Sequence, residues 1–225
     1  MAYKIIKDSY DYKFNFNGEL NLLNIRKLSQ LYEVYNLHQI LQAFKDKLIL
    51  DPYFKFETDC QRDDKIIDYI SFKHDKLSIE IFYELKIPNE NFTKLVRLDI
   101  SNGSYYLPDY LINIKNGDEL LYSALLDSKY SKHYTLKFNH LPSCIYKYIV
   151  NLGIENERYK KIDDLILIYP GEEVDSIQSN PMFAPRIILM PSKPKFENFL
   201  KEYIGELIER TLPTYVIKRI ENIIN

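Results

Sequence analysis

Apolar positions along the chain follow two different periods. From about Leu20 to Leu50 the period is helical. Leu28, Leu31, Tyr32 and Tyr35 share one face, and Leu37, Ile40, Leu41, Phe44 and Leu48 continue it. The shift of face near Asn36 would mark a break. Asp51-Pro52 ends the run, because the residue before a proline is pushed out of the helical region. Beyond it the pattern becomes alternating, aromatic and β-branched. "YFKFET", "IIDYISF" and "LSIEIFYELKI" read as strands, and the short polar "KHDK" between the last two predicts a hairpin. "LVRLDI" reads as a further strand.

The next stretch, Leu107 to Tyr130, is "LPDYLINIKNGDELLYSALLDSKY". Two apolar runs flank an Asn-Gly turn, which predicts a second hairpin. "LLYSALL" is apolar on both faces, the mark of a central, covered strand. "TLKFNHLPSCIYKYIVNLG" reads as a loop leading into a helix, with Ile145, Tyr148, Ile149 and Leu152 as its apolar face and Gly153 as its C-cap. "DDLILIYPG" and "PRIILMP" are short buried strands. "KFENFLKEYIGELIERTL" is an amphipathic helix ended by Pro213, and "TYVIKRIENII" a last short helix. The order predicts an α/β (α+β) fold, a mixed central sheet flanked by helices. No internal repeat or linker divides the 225 residues. One domain is expected, with a core over about 20–171 and a C-terminal strand and helices over 185–225 packed on it.

Composition excludes several classes. With 46% hydrophobic and 28% charged residues, the chain reads as a soluble globular protein. No apolar run could span a membrane, and "MAYKIIKDSYDYKF" is too polar for a signal peptide, so a cytoplasmic location is expected. Cys60 and Cys144 lack metal-ligand spacing and read as thiols in a reducing compartment. The formal net charge of −2 does not favour tight autonomous DNA binding, which phosphate neutralisation dominates. No aromatic-basic repeat announces a single-strand binding platform.

The charges of the second hairpin raise a question of register. Asp109 stands at its start, and Asp127 and Lys129 at its end. With a two-residue Asn116-Gly117 loop, Asp109 pairs with Ala124 and lies on the face opposite Asp127. With a three-residue loop over 116–118, Asp109 pairs with Leu125 and shares a face with Asp127 and Lys129. A bulge would do the same. Charges at the end of a covered strand are costly unless paired or metal-bound. The bland reading is an Asp-Lys pair at a wet strand end. The chemical reading is a Mg²⁺ (or Mn²⁺) site. Carboxylates bind the ion, the ion activates water and stabilises an attacked phosphate, and the lysine holds or helps deprotonate that water and neutralises the developing anion.

"PD" at Pro108-Asp109 followed by "DSK" at Asp127–Lys129 resembles the signature of PD-(D/E)xK nucleases. "LPDYLINIKNG…ALLDSKY" resembles one branch in particular, the McrC-like restriction nucleases. "KLSQLYEVYNLHQIL" is similar to that group's "LYExW" helix, with Tyr35 in place of Trp. "CIYKYIVNLG" and "DDLILIYPG" are similar to the helix and strand after its lysine. The resemblance runs from about Leu28 to Gly171. It implies a restriction-endonuclease-like core, with Asp109 and Asp127 as metal-binding acids and Lys129 beside the attacking water. It further implies that Ser128 lends a main-chain carbonyl to the metal and that Glu33 completes or supports the site. On its own pattern, Glu33 is instead an exposed glutamate beside the polar Ser29, Gln30 and Asn36. The group's long N-terminal region has almost no counterpart here.

A competing pattern, Asp68 with "ELK" at Glu84–Lys86, also fits the generic signature. It is not followed by the helix and strand that the nuclease core needs, so Glu84 and Lys86 are expected in an earlier sheet strand. Lys147 and Lys132 are candidate phosphate contacts, with Lys137, Arg158, Lys160 and Lys161 as a basic rim; the bland reading is solvated lysine. His133 and His140 read as surface residues. The function expected is a Mg²⁺-dependent DNA endonuclease of bacterial anti-phage defence or restriction. The chain has no phosphate-binding GxxxxGK loop, so the resemblance implies a separate AAA-type NTPase motor or another defence subunit, with a homo-oligomer also open. The alternatives are an inactive nuclease-fold scaffold and an RNA-directed nuclease.

Overall fold

The computed structural model describes residues 28–48, 52–55, 69–88, 93–98, 105–155, 161–178, 184–194 and 199–212. An eight-stranded mixed sheet runs in the order β1-β2-β3-β5-β6-β8-β10-β9. Its strands are β1 (Pro52–Lys55), β2 (Tyr69–His74), β3 (Leu77–Tyr83), β5 (Tyr110–Asn116), β6 (Glu119–Ser128), β8 (Asp164–Tyr169), β9 (Asp175–Gln178) and β10 (Arg186–Pro191). β6, β8 and β10 are mutually parallel neighbours, and the other pairings are antiparallel. The α+β class and the mixed sheet are as expected, and the architecture is compatible with a nuclease-like core.

Helices cover both faces. α1 (Leu28–Lys47) and α3 (Phe199–Thr211) pack together over one face, where Tyr110, Ile112, Leu126, Ile166 and Ile168 meet Tyr32, Phe44 and Ile204. The other face presents Leu111, Leu125, Leu165 and Leu167 to a helical segment, α2, over 133–150. α2 alternates α turns (His133–Thr135, Leu141–Cys144) with π turns (Leu136–His140, Ile145–Val150). Every residue of β8 is buried, as a strand covered on both faces requires.

Four expectations change. α1 does not break at Asn36. The helix is continuous and Asn36 is fully buried; the apolar face shifts because α1 is enclosed by both sheet and α3. The helical segment begins at His133, earlier than the apolar pattern shows, and Gly153 is no C-cap. It lies in β7 (Leu152–Ile154), which pairs with β4 (Leu95–Arg97) in a separate two-stranded sheet. "LVRLDI" supplies the expected strand, over Leu95–Arg97, in this small sheet. The β2–β3 hairpin forms as expected, and its turn holds Asp75 at φ +52°. "TYVIKRIENII", Asp68, Cys60, Arg158 and Lys160 lie outside the described residues.

The fourth change is the register of the β5–β6 hairpin. Asn116 pairs with Glu119, so the loop is Gly117-Asp118, neither loop that the sequence offers. Gly117 takes φ +61° there, a conformation costly for a residue with a Cβ. Lys115 then pairs with Leu120 but Ile114 with Tyr122, which leaves Leu121 as an extra, half-exposed residue. Beyond this bulge the register runs to Tyr110↔Leu126. Continued by one residue, it sets Asp109 across from Asp127. The bulge aligns the two acids; the turn does not.

Candidate functional site

Asp109 and Asp127 meet at the end of the central strands, on the α2 face. Asp109 Oδ2 accepts the backbone N–H of Ser128 at 2.5 Å. The two carboxyl groups are close enough to share a hydrogen bond, and Asp109 is pushed well above the usual carboxylate range by burial and then by the charge of Asp127. Lys129 Nζ donates to Asp127 Oδ1 in a close ion pair. Burial presses the Lys129 ammonium down, but Asp127 and Asp109 outweigh it, so its pKa ends above the ordinary lysine value. At neutral pH Lys129 is a cation, able to hold water or neutralise an anion but not to take a proton.

α2 closes on this pair from above. Cys144 Sγ lies 3.4 Å from Asp127 Oδ2, and Tyr148 donates to Leu107 O at 3.5 Å. Burial, and then the neighbouring Asp127, raise the Cys144 thiol and the Tyr148 hydroxyl. Both stay neutral, the thiol as a donor to the carboxylate and the hydroxyl as a donor to the Leu107 carbonyl.

α1 closes on the opposite side. Ser128 turns its hydroxyl away from the acids, because side chains alternate along β6. A chain of buried hydrogen bonds runs through it. The Asn36 amide donates to Ser128 Oγ at 3.0 Å. Ser128 and Tyr110 hydroxyls share a bond of 3.1 Å, and Tyr110 donates to the Glu33 carbonyl at 2.5 Å. Ser192 Oγ donates to Asn36 Oδ1 at 2.6 Å, and Tyr32 to the Ser192 carbonyl at 2.8 Å. Such a network, fully satisfied, fixes α1 against β5, β6 and the end of β10.

Glu33 is thereby held at the rim of the site rather than on a free surface. Tyr83 donates to Glu33 Oε2 at 3.3 Å. Its carboxyl is pushed up to about 7, by burial first and by the Glu84 charge second, against the Tyr83 hydrogen bond and the Lys129 charge. Glu84, assigned from sequence to an earlier strand, follows the end of β3 at φ +52°. Its N–H donates to Asp109 O at 2.9 Å. Of the competing pattern, Asp68 lies outside the described residues, Glu84 borders the Asp109–Asp127 pair, and Lys86 sits over the Tyr105 ring.

Among the described residues, no three His, Cys, Asp or Glu side chains converge as a metal-holding group. Asp109 and Asp127 form a pair, and Glu33 reaches them by charge alone. The pair itself fits a hard cation. The half-buried Asp109 and the buried Asp127 lie side by side with one ammonium on Asp127, and a like-charged pair removed from water is relieved by added positive charge.

The basic rim is partly dissolved. Lys137 and His133 pair with Asp175 at 2.7 and 3.2 Å, and Lys161 donates to the Leu152 carbonyl at 2.6 Å. Lys132 and Lys147 are exposed on α2 and its approach. Sequence reading missed Cys144, Tyr83, Tyr110, Asn36 and Tyr148, since tyrosines and a lone cysteine in apolar runs carry no signal beyond core. No helix among the described residues is long and apolar enough to cross a membrane. No family model, no curated protein and no solved structure matches the chain.

Proposed function

We propose that this chain is a Mg²⁺-dependent endonuclease of the PD-(D/E)xK type, related to the McrC-like restriction nucleases, that hydrolyses DNA phosphodiester bonds in bacterial defence. One observation carries the reading: Asp109 and Asp127 stand across from one another on one sheet face, the first bound to the Ser128 N–H and the second to Lys129, where α1 and α2 converge. Asp109, Asp127 and the Ser128 carbonyl would hold the ion, with Glu33 supporting it from α1. The bound ion would supply a water of lowered pKa and positive charge at the phosphate. Lys129 holds a fixed positive charge over the same oxygens, which stabilises a developing anion. Cys144 and Tyr148 shield Asp127 from bulk water. A separate NTPase motor would supply DNA grip and movement, in keeping with the net charge of −2.

The test is cleavage of plasmid DNA by purified protein with Mg²⁺ or Mn²⁺, with and without any ATPase or GTPase encoded next to it. Wild type should cleave in at least one condition where Asp127→Ala with Lys129→Ala does not. Equal behaviour of the two in every condition ends the proposal.

A second reading, a nuclease-fold scaffold without activity, is favoured by the absence, among the described residues, of a third metal-ligating side chain beside the pair. Calorimetric titration with Mg²⁺ separates the two: no binding heat that Asp109→Asn abolishes would favour the scaffold. RNA in the cleavage assay addresses the RNA-directed alternative.

A further inference from the structure

The outer side of α2 is built unlike any other described helix. Tyr134, Phe138, Tyr146 and Val150 are 72%, 58%, 61% and 53% exposed. Their spacing is four, eight and four residues, and the intervening place is taken by the exposed Pro142. Because this segment alternates α turns with wider π turns, every fourth position returns to about the same side. Tyr134 and Phe138 already stack, with ring centroids 4.6 Å apart. The buried side of the same helix carries Cys144, in contact with Asp127. Such a display of large rings in water is costly without a partner.

Charge says what the partner is. Between Asp127 and Glu155 the chain has four lysines, two histidines and no acidic residue. Lys137 and His133 are occupied by Asp175. Lys132 and Lys147 are exposed and flank the ring row at its start and near its end. A row of rings flanked by ammonium groups suits a polyanion that carries flat apolar faces. That is the chemistry of unpaired nucleotides: bases stack on rings without regard to sequence, and phosphates meet lysines. The linear sequence hides the pattern, because the apolar residues that face the sheet are interspersed with those of the row.

We propose that the outer face of α2 binds single-stranded DNA, with bases stacked on Tyr134, Phe138 and Tyr146 and phosphates at Lys132 and Lys147. From Tyr134 to Tyr146 the row runs roughly 18 Å at the α-helical rise of about 1.5 Å per residue. That accommodates a few nucleotides on the side of α2 opposite the carboxylate pair. The proposal deepens the nuclease reading by naming the form of DNA held beside the site.

The chain contains no tryptophan, so Phe138→Trp gives a unique fluorescent reporter. It is titrated with oligothymidine in EDTA, where no cleavage can occur. Quenching is expected, weakening as salt rises. In parallel, labelled oligothymidine is titrated with wild type and with Tyr134→Ala, Phe138→Ala and Tyr146→Ala. Each substitution should weaken binding roughly five- to a hundredfold, from the usual worth of one base stack. All three sites are exposed, so thermal unfolding should stay unchanged, which a misfolded variant would fail.

No quenching, or unchanged affinity in all three variants, overturns the proposal. So does preference for duplex DNA or for oligouridine alone. A dimer that the triple variant converts to monomer, with oligothymidine affinity unaltered, would make the face a self-contact and also overturn it. Binding that Asp127→Asn retains and the ring variants lose supports the platform whatever the cleavage assay gives, so its failure and that of the nuclease reading are told apart.

Discussion

The Asp109 carboxylate accepts the backbone N–H of Ser128 at 2.5 Å, which ties the first acid of the hairpin to the strand carrying the second. The bond holds Asp109 beside a second acid in a place that penalises its charge.

Replacing Asp109 by Asn tests that penalty. The amide oxygen can still accept from Ser128, and the repulsion with Asp127 is gone. In EDTA, Asp109→Asn should raise the unfolding temperature by several degrees, about 1–2 kcal/mol. Added Mg²⁺ should raise it for wild type and leave the variant unmoved. A variant less stable than wild type in EDTA would contradict the burden placed on Asp109.

Glu33 sets a pH dependence of defined sign. Its folded pKa, about 7, lies above the ordinary 4.5, so the folded state binds the proton more tightly. Its share of stability is full at acid pH and falls as pH rises from about 4.5 to 7. Glu33→Gln should remove that fall. Discounted for partial exposure, the difference between the two stability curves should reach about 1–2 kcal/mol. Denaturant titrations in EDTA across this range measure it, and parallel curves would refute it.

Leu121 is the residue that the bulge inserts. Deleting it leaves Lys115↔Leu120 and Ile114↔Tyr122 as consecutive pairs, so the register on both sides survives. The deletion should cost at most about 1 kcal/mol, since Leu121 is half-exposed. The Mg²⁺ response in thermal unfolding should persist. Its loss would show that the bulge does more than keep register.

Asp164 anchors α3 at the far end of the sheet. Arg186 forks onto it at 2.6 and 2.5 Å, and the hydroxyls of Tyr122 and Tyr203 donate to the same carboxylate. Burial alone would raise its pKa, but these partners hold it below the usual range. Arg186→Ala leaves the buried Asp164 with only the more distant Arg210 guanidinium, at 3.5 Å, as its cation, and should cost up to about 3–5 kcal/mol. Chemical denaturation measures the loss, which should not alter Mg²⁺ binding by the remaining folded protein.

Much of this was legible in the residues. The runs around Ile70, Ile79, Ile112 and Ile166 announce strands because β-branched residues in short runs leave few alternatives. Phe199–Thr211 shows its helical period plainly. Less legible was α2, where π turns and an exposed aromatic row blur the period. The role of Glu84 was hidden too: a positive-φ residue after a strand reads locally as part of that strand.

By itself, the sequence determined the sheet-and-helix class, the covered central strand and the three charged residues at its end. These follow from local alternation and from the cost of burying charge. Only the tertiary structure decided that Asp109 and Asp127 face one another, since that hangs on one bulged residue inside an apolar run. It alone decided that Glu33 and Glu84 border the pair and that Cys144 caps it, because those contacts join segments distant along the chain. Packing, unlike periodicity, is not written in any one window of residues.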